Sequence, residues 1–254
     1  MCIELFSLRD KVALVTGAGK GLGKSMALAL SESGAHVAVV SRTLSDLEAT
    51  TREVQENGVK SIPIVADVTK LGDVAQMLER VLHEFKTVDI LVNNVGTFMG
   101  GPFLEFSEDE WYKQIEVNLT STYLCSKVVG KHMVERQKGK IINMSSALGV
   151  FGASGSSAYC VSKGGVIQLT KALAVEWAKY NIQVNSIAPY SMETEKTRVM
   201  LEDEKVKKAI VSKIPLKRIG QPGDLSGAVV FLASRASDYI TGQVLFVDGG
   251  FSVQ

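Results

Sequence analysis

The chain has 254 residues, 46% of them hydrophobic, and a formal net charge of +1. These values fit an ordinary globular protein with one domain of the larger α/β kind over residues 1–254. So small a net charge gives no electrostatic basis for binding nucleic acid or an anionic membrane. The apolar runs are too short to span a bilayer. We therefore predict a function that involves neither nucleic acid nor a membrane.

The cysteines and the first residues bear on the compartment. Cys2, Cys125 and Cys160 are scattered, which suits a reducing compartment and suggests neither a disulfide framework nor a zinc site. The segment Met1–Leu8 contains Glu4 and lacks the basic-then-apolar layout of a signal peptide. We therefore predict a cytoplasmic protein that binds no metal.

Short β-rich runs alternate with longer runs of helical periodicity along the chain. The predicted strands are 11–16, 36–40, 61–66, 89–92, 140–144, 179–187 and 244–247. Four helices are predicted over 44–57, 107–136, 156–180 and 222–234. Two more follow the first and third strands and end near residues 33 and 85. Strands that alternate with helices form a parallel sheet with helices on both faces. We therefore expect a doubly wound α/β protein of about seven strands.

A glycine-rich turn separates the first predicted strand from the first helix. Its residues, Gly17-Ala-Gly-Lys-Gly-Leu-Gly23, have the spacing G-x-x-x-G-x-G. In a strand–turn–helix unit, backbone N–H groups at the helix start can hold a phosphate. Gly17 permits the tight turn, Gly21 lets the backbone approach a pyrophosphate, and Gly23 allows close helix–strand packing. We predict a dinucleotide site, with a flexible turn without ligand as the alternative; its candidate residues are Gly17, Gly19, Lys20, Gly21, Leu22 and Gly23.

The end of the second predicted strand indicates which dinucleotide is bound. An NAD site would carry an acidic residue about 20 residues after the glycine turn, where it binds the ribose 2′-hydroxyl. This chain has Ser41-Arg42 there, with Arg42 nineteen residues after Gly23. A guanidinium matches the geometry of a phosphate, and Lys20 adds a second positive charge. We predict NADP(H) as the cofactor; alternatively, Arg42 is a solvated residue before a helix.

Polar residues and a glycine follow the third and fourth predicted strands. Asp67-Val68 comes directly after the third, where the carboxylate can accept a hydrogen bond from an adenine amino group or can cap the next helix. Asn94-Val95-Gly96 ends the fourth, on the sheet edge where open α/β sheets bind ligands. We predict that all five residues contact the cofactor.

Asn118 lies on the apolar face of the helix predicted over 107–136, which begins with a Ser107/Glu110 capping box. A buried amide must find hydrogen-bond partners. Asn118 is therefore either a core residue bonded to nearby backbone or a residue that holds a water serving the active site.

A tyrosine and a lysine four residues apart begin the long helix predicted over 156–180. Tyr159 and Lys163 would share one face of it, with Cβ atoms roughly 5–6 Å apart. A neighbouring ammonium lowers the pKa of a phenol from about 10, which makes Tyr159 a candidate proton donor. Ser146, at the end of the fifth predicted strand, could polarise a substrate carbonyl. Alone, the Tyr–Lys spacing is weak; the dinucleotide motifs upstream strengthen it.

The segment 190–214, after the sixth predicted strand, is polar, charged and methionine-bearing. We interpret it as an inserted helix or a substrate-binding flap at the mouth of the site. The alternative is a plain solvated helix.

Together these motifs resemble the short-chain dehydrogenase/reductase family over essentially the whole chain. The resemblance rests on Thr16-Gly17-x-x-x-Gly21-x-Gly23, Asp67-Val68, Asn93-Asn94-Val95-Gly96, Asn118, Ser146, Tyr159-x-x-x-Lys163 and Pro189. It implies a single-domain Rossmann fold, a homotetramer, and an enzyme that transfers a hydride between NADP(H) and a ketone or secondary alcohol.

The resemblance also implies roles for single residues. Ser146, Tyr159 and Lys163 would be catalytic, and Asn118 would be a fourth member that maintains a proton relay. Ser145 would be structural.

The nicotinamide end of the cofactor would meet a further set of residues in that family. Tyr159 and Lys163 would contact the nicotinamide ribose region, and 187–194 would line the nicotinamide side, which adds Pro189 and Thr194 to the cofactor contacts.

This chain departs from the family pattern at two places. Val95 replaces an alanine, a small change in volume. Tyr190 replaces the glycine after Pro189, which places a bulky aromatic residue beside the nicotinamide and could reshape the substrate pocket.

The substrate class rests on weaker features. Segments 236–242 and 247–250 are similar to gluconate and deoxygluconate dehydrogenases and also to 3-oxoacyl-[acyl-carrier-protein] reductases. Carrier-protein reductases commonly have arginines where this chain has Gln137 and Val175. We therefore favour a small free ketone of the sugar-acid or polyol type. Carrier-protein reduction is one alternative, and a non-catalytic NADP(H)-binding regulator is another.

Overall fold

A single sheet of seven parallel strands forms the centre of the computed structural model, which describes residues 3–253. The strands are β1 (Val12–Thr16), β2 (His36–Ser41), β3 (Ser61–Val65), β4 (Ile90–Asn93), β5 (Gly139–Met144), β6 (Ile182–Pro189) and β7 (Val244–Val247). Their spatial order is β3-β2-β1-β4-β5-β6-β7. This confirms the predicted doubly wound α/β Rossmann fold. Cys2 and both ends of the predicted domain 1–254 lie outside the described residues.

Helices cover both faces of the sheet. They are α1 (Gly21–Glu32), α2 (Leu44–Glu56), α3 (Leu71–Phe85), α4 (Glu108–Ile115), α5 (Ser121–Arg136), α6 (Ser157–Trp177), α7 (Glu195–Glu202), α8 (Glu204–Ser212) and α9 (Ser226–Ala233). Side chains of β1 alternate between two cores: Ala13 and Val15 pack with α1, α2 and α9, and Val12 and Leu14 pack with α3 and α5. A parallel strand buried on both faces has a continuous apolar sequence, which explains the residues of β1.

The strand order places a cleft beside β1. This strand pairs with β2 on one side and with β4 on the other, so the connections that leave β1 and β4 diverge to opposite faces of the sheet. Such a switch point opens a crevice at the carboxyl ends of the strands. The predicted cofactor and catalytic residues cluster around this crevice.

The helix predicted as continuous over 107–136 is interrupted in the structure. Between α4 and α5, residues Glu116–Thr120 form a wider π-helical turn. The hydroxyls of Ser121 and Thr122 donate to the carbonyls of Val117 and Asn118, respectively, at 2.6 and 3.1 Å. Such back-bonding side chains bend helices, and single π turns are frequent at functional sites.

Two other predicted boundaries were wrong. The sixth strand begins at Ile182 because Ala178–Tyr180 forms a 3-10 turn that ends at Asn181. Asn181 has φ 54°, a left-handed conformation that asparagine tolerates and that stops a helix. The helix predicted over 222–234 starts as a 3-10 turn, Pro222–Leu225, before α9.

The buried carboxylate of Asp89 joins three parts of the fold at the amino end of β4. It accepts hydrogen bonds from the backbone N–H of Val12 at 3.0 Å and from Arg136 Nη2 at 3.1 Å. Arg136 also donates to the Val88 carbonyl at 3.0 Å. The pair thus ties α5 to β1 and β4.

Replacing Asp89 with alanine should lower the free energy of unfolding by about 2–4 kcal/mol, because it leaves a partly buried guanidinium and a backbone N–H without a partner. Urea unfolding followed by circular dichroism measures this change. The matched control is Lys113→Ala, which removes an exposed ion pair with Glu116 at 2.9 Å and should change stability by less than about 1 kcal/mol. Equal losses in both variants would contradict the assignment.

Candidate active site

The glycine turn between β1 and α1 requires glycine at three positions, for its backbone conformation or for lack of space. Gly17 and Gly21 have φ values of 64° and 56°, in the left-handed region that favours glycine. A Cβ at Gly23 would overlap the Gly17 carbonyl oxygen and the Asn94 amide. Leu22 packs against the core on this side of the sheet. The turn is therefore tight, and its backbone is free to approach a ligand.

Asn94 holds the glycine turn in place. Its side-chain amide donates to the carbonyls of Thr16 at 3.0 Å and Gly17 at 3.2 Å, and its backbone N–H donates to Thr16 Oγ1 at 3.0 Å. Val95 packs beside Gly17. The Asn94 side chain thus acts on the turn itself, and Gly96 is the part of this motif that opens toward the catalytic residues.

The end of β2 carries the two predicted phosphate-binding cations. Arg42 is exposed beyond Ser41, whose hydroxyl accepts a hydrogen bond from the Thr43 N–H at 3.3 Å. Lys20 lies 3.4 Å from Asp46 Oδ1 and 3.4 Å from Glu195 Oε2. Hydrogen bonds and charge from Asp46, and then from Glu195, raise the pKa of Lys20. Its ammonium is therefore already paired with carboxylates.

The Asp67 carboxylate holds the turn before α3. Its Oδ1 accepts hydrogen bonds from the Thr69 N–H at 3.1 Å and the Thr69 hydroxyl at 2.8 Å. Burial acts to raise the pKa of Asp67, but the Thr69 hydrogen bonds and the charge of Arg42 outweigh it, so the pKa is lowered. The carboxylate is thus ionised and close enough to feel Arg42. The cap residue of α3 is Lys70, and Val68 is buried in the core.

Three of the four predicted catalytic side chains come together at the carboxyl ends of β5 and β6. The Ser146 hydroxyl lies close enough to the Tyr159 phenol to act on its pKa, and it contacts the Pro189 carbonyl at 3.4 Å. Lys163 is 4% exposed, and its Nζ donates to the Met144 carbonyl at 2.7 Å. The serine oxygen and the phenol therefore can bind the same carbonyl oxygen of a substrate. Ser145 plays a structural part instead, because its hydroxyl donates to the Ile187 carbonyl at 3.1 Å.

The pKa values differ from the expectation drawn from the sequence. Burial raises the pKa of the Tyr159 phenol, with the Ser146 hydrogen bond acting in the opposite direction. Burial also lowers the pKa of Lys163 to about 8. The expected lowering of the phenol pKa by Lys163 is absent in the chain alone, since the ammonium is directed at Met144 and lies 6.0 Å from the centre of the Tyr159 ring. At neutral pH the phenol is therefore protonated.

Asn118 is a buried clamp. Its Oδ1 accepts from the Thr97 N–H at 2.7 Å, and its Nδ2 donates to the Thr97 carbonyl and the Ser162 hydroxyl, both at 3.0 Å. Ser162 in turn donates to the Tyr159 carbonyl at 2.9 Å. The buried amide is thus satisfied by backbone groups and one hydroxyl. A Cβ at Gly96 would lie 3.5 Å from Asn118 Oδ1 and 3.3 Å from Lys163 Nζ.

The first turn of α7 reaches both sides of the crevice. Thr194 caps α7 and lies next to Gly21. Glu195 pairs with Lys20 of the glycine turn, as described above, and Lys196 Nζ donates to the Gly96 carbonyl at 3.4 Å. The start of α7 therefore lies over the predicted cofactor cleft.

Tyr190 leaves the backbone after β6 unstrained. Pro189 ends β6 in register with Val247 of β7. Tyr190 does not adopt a positive φ. Its ring stacks on Phe251, with centroids 3.8 Å apart and planes 7° apart. The Phe151 ring contacts Phe251 edge-on, with centroids 5.7 Å apart. Tyr190 thus links the end of β6 to the C-terminal segment.

Several residues at the site were missed by reasoning from the sequence. The contacts of Ser162, Lys196 and Glu195 join elements far apart in the chain. The sequence did contain a sign of Gln114, because this amide lies one helical turn before Asn118. In the structure its side chain binds the backbone of Met99.

Residues 3–253 contain neither a metal-binding cluster nor a membrane-spanning helix. No group of three or more histidine, cysteine, aspartate or glutamate side chains could hold a metal ion there. None of the helices in that range is both long enough and apolar enough to cross a membrane.

Known proteins resemble the chain along nearly its whole length. The family model described as enoyl-(acyl carrier protein) reductase matches residues 17–252. The 5-keto-D-gluconate 5-reductase of Escherichia coli K12 is 39% identical, with 98% of each chain covered. The 2-dehydro-3-deoxy-D-gluconate 5-dehydrogenase of Pseudoalteromonas atlantica is 42% identical, again with 98% coverage of each.

A solved structure and a further relative widen the comparison. The crystal structure of a gluconate 5-dehydrogenase from Burkholderia cenocepacia in complex with NADP and tartrate aligns over 100% of both chains, with a TM-score of 0.96 and 34% identity. A 3-oxoacyl-[acyl-carrier-protein] reductase of Staphylococcus epidermidis is 40% identical over 95% of this chain and 98% of its own.

The buried Lys163 should make stability depend on pH in a defined direction. Its pKa is about 8 in the folded chain and 10.5 for a free side chain, so between these values the unfolded chain binds more protons. Stability therefore rises with pH in this window. A Lys163→Met variant lacks this pH-dependent contribution. Its free energy of unfolding, relative to that of the parent, should therefore fall by roughly 3 kcal/mol between pH 8 and 10.5.

Urea unfolding of both proteins across this pH range measures the difference. Lys171→Met, at an exposed position on the same helix, serves as the control and should differ from the parent by a constant amount. A pH-independent difference for Lys163→Met would show that the ammonium is not desolvated.

Proposed function

The chain belongs to the short-chain dehydrogenase/reductase family, and from that premise we propose that it transfers a hydride between NADP(H) and a small ketone or secondary alcohol, with sugar acids favoured. The observation that carries the proposal is the closeness of the Ser146 hydroxyl to the Tyr159 phenol, on whose pKa it acts, beside the buried Lys163. This arrangement supplies two O–H groups for one carbonyl oxygen at the carboxyl ends of the strands.

The crevice fits a dinucleotide phosphate. The glycine turn offers a cradle that a Cβ would fill, and Arg42, exposed at the end of β2, has the guanidinium that would pair with a 2′-phosphate. NADP(H) would supply the hydride. The proposed binding residues are Gly17, Gly19, Lys20, Gly21, Leu22, Gly23, Ser41, Arg42, Asp67, Val68, Asn94, Val95, Gly96, Tyr159, Lys163, Pro189 and Thr194.

The catalytic roles follow from the protonation states. Tyr159 keeps its proton at neutral pH because burial raises its pKa, so it can protonate the carbonyl oxygen that Ser146 holds. Lys163, with a pKa of about 8, remains mostly charged at pH 7 and stabilises the phenolate as it forms. Asn118 belongs to the site as a positioning residue, since its amide orients Thr97 and, through Ser162, the backbone of Tyr159.

The positive charge of Lys196, at the start of α7 beside the site, supports an acidic substrate. The Lys196 ammonium, at the Gly96 carbonyl, has no carboxylate within 4 Å among the residues that the structure describes. It therefore offers a cation to an acidic substrate. We propose that residues 190–214 form a flap over this substrate.

Reduction of a carrier-protein thioester is the second candidate, and the 40% identical carrier-protein reductase favours it. The surface expected to dock the carrier protein argues against it. Gln137 and Val175 stand where arginines would be expected, and Val175 is 83% exposed without charge. Arg136, next to Gln137, is bound to Asp89 and Val88. A regulator that binds NADP(H) without turnover is disfavoured by the intact Ser–Tyr–Lys arrangement.

A screen of NADPH oxidation separates these functions. We expect turnover with 5-keto-D-gluconate and little with an acetoacetyl-carrier protein. NADPH binding without oxidation of any ketone would instead indicate a regulator.

We further propose a homotetramer in the cytoplasm. Apolar side chains exposed on α5 and α6 support self-association, notably Tyr123, Val161 and Val175, which are 44%, 51% and 83% exposed. The free thiols of Cys125 and Cys160 suit a reducing compartment.

Replacing Tyr159 with phenylalanine should lower kcat by about 10² to 10⁴ because it removes the proton donor, while the Kd for NADPH changes by less than about threefold. Steady-state kinetics and fluorescence titration measure the two quantities. Tyr112→Phe, at a 66% exposed position, is the control. Residual activity within tenfold of the parent would reject the role of the phenol.

Replacing Arg42 with alanine should lower kcat/KM for NADPH by about 10- to 100-fold, the value of a charge-assisted hydrogen bond pair, and leave that for NADH within about threefold. Arg52→Ala, exposed on α2, should change neither. A parent protein that uses NADH as efficiently as NADPH would refute the cofactor preference.

A further inference from the structure

The loop after β4 is fixed by two buried amides one helical turn apart. Gln114 accepts from the Met99 N–H at 2.5 Å and donates to the Met99 carbonyl at 3.3 Å. Asn118 binds both backbone groups of Thr97 in the same way, at 2.7 and 3.0 Å. Both amide side chains are fully buried. Since the residues on each side of Phe98 are clamped through their backbones, the position of Phe98 is fixed as well.

The Phe98 ring contacts the ring of Tyr159, the proposed proton donor. Its centroid is 5.3 Å from that of Tyr159 in an edge-to-face arrangement with planes 74° apart, a favoured geometry for aromatic pairs. Gly100 makes room for it, because a Cβ there would lie 2.8 Å from the Phe98 Cζ atom. Despite these contacts the residue remains 57% exposed. A large apolar surface is thus held open beside the reacting group.

We propose that Phe98 is a specificity-determining residue that packs against the carbon chain of the ketone next to the reacting carbonyl. This inference rests on the proposed function, in which Ser146 and Tyr159 hold the carbonyl oxygen. A carbonyl held there has its neighbouring carbons within reach of a ring in contact with Tyr159. The C–H face of a polyol or keto acid is apolar and covers an aromatic ring, while Lys196 remains available to a carboxylate.

The test compares Phe98→Ala with the parent, using NADPH and 5-keto-D-gluconate. We expect KM for the ketone to rise about tenfold, kcat to stay within about threefold, and the Kd for NADPH to stay within about twofold. Phe98→Tyr keeps the ring and should restore KM to within about twofold. Phe103→Ala removes another exposed ring of the same loop, 70% exposed and without contact to Tyr159, and should leave KM unchanged.

A measurement without turnover separates this inference from the proposed function. In the NADP⁺ complex, 5-keto-D-gluconate cannot be reduced, so calorimetry gives its Kd, which should also rise about tenfold in Phe98→Ala. An active parent with unchanged KM and Kd in Phe98→Ala would overturn the role of Phe98 alone. A lowered KM, which an obstructing ring would give, would also overturn it. A parent that neither binds nor reduces the ketone would instead refute the proposed substrate class.

Discussion

The hydrogen bond from the Lys163 ammonium to the Met144 carbonyl, at 2.7 Å, joins the helix of the proton donor to the strand that leads to Ser146. Ser146 follows Met144 by two residues, and Tyr159 precedes Lys163 by one helical turn, so this contact helps to set the relative positions of both. It requires a lysine buried to 4% exposure, which is energetically unfavourable. The same burial keeps the ammonium dry, so its charge acts strongly on a phenolate that forms nearby.

A layer of polar side chains below the site holds the same elements together. Asn93 donates to Ser126 Oγ at 3.0 Å and to Asn143 Oδ1 at 2.8 Å, and Asn143 donates to Thr170 Oγ1 at 2.9 Å. The chain of bonds runs from α5 through β4 and β5 to α6, entirely within the interior. These bonds favour one arrangement of α6 on the sheet, while Asn93 Oδ1 is buried without a hydrogen-bond partner among the described residues.

Local patterns in the sequence predicted much of this molecule. The glycine turn, the parallel seven-stranded sheet and the closeness of Ser146 to Tyr159 follow from short apolar runs and from residues that lie in a turn or at a strand end. The contacts of Gln114 with Met99 and of Tyr190 with Phe251 depend on how distant segments pack, which periodicity does not report. The π turn at Asn118 also escaped prediction, because it changes the helix by one residue without breaking the apolar pattern.

The two cations near the predicted 2′-phosphate site are not equivalent, and the difference lies in their carboxylate neighbours. Lys20 is shared between Asp46 and Glu195, so an incoming phosphate must compete with two carboxylates and would be repelled by both. Arg42 has no carboxylate within 4 Å in the part of the chain that the structure describes, although it is close enough to Asp67 to lower the pKa of that acid. Its guanidinium is therefore free to bind a phosphate through two parallel hydrogen bonds. Because Glu195 begins α7, release of Lys20 to a phosphate would also loosen the contact between the flap and the glycine turn. Under the proposed function, Arg42 would therefore determine which dinucleotide binds, and Lys20 would connect that binding to the proposed flap.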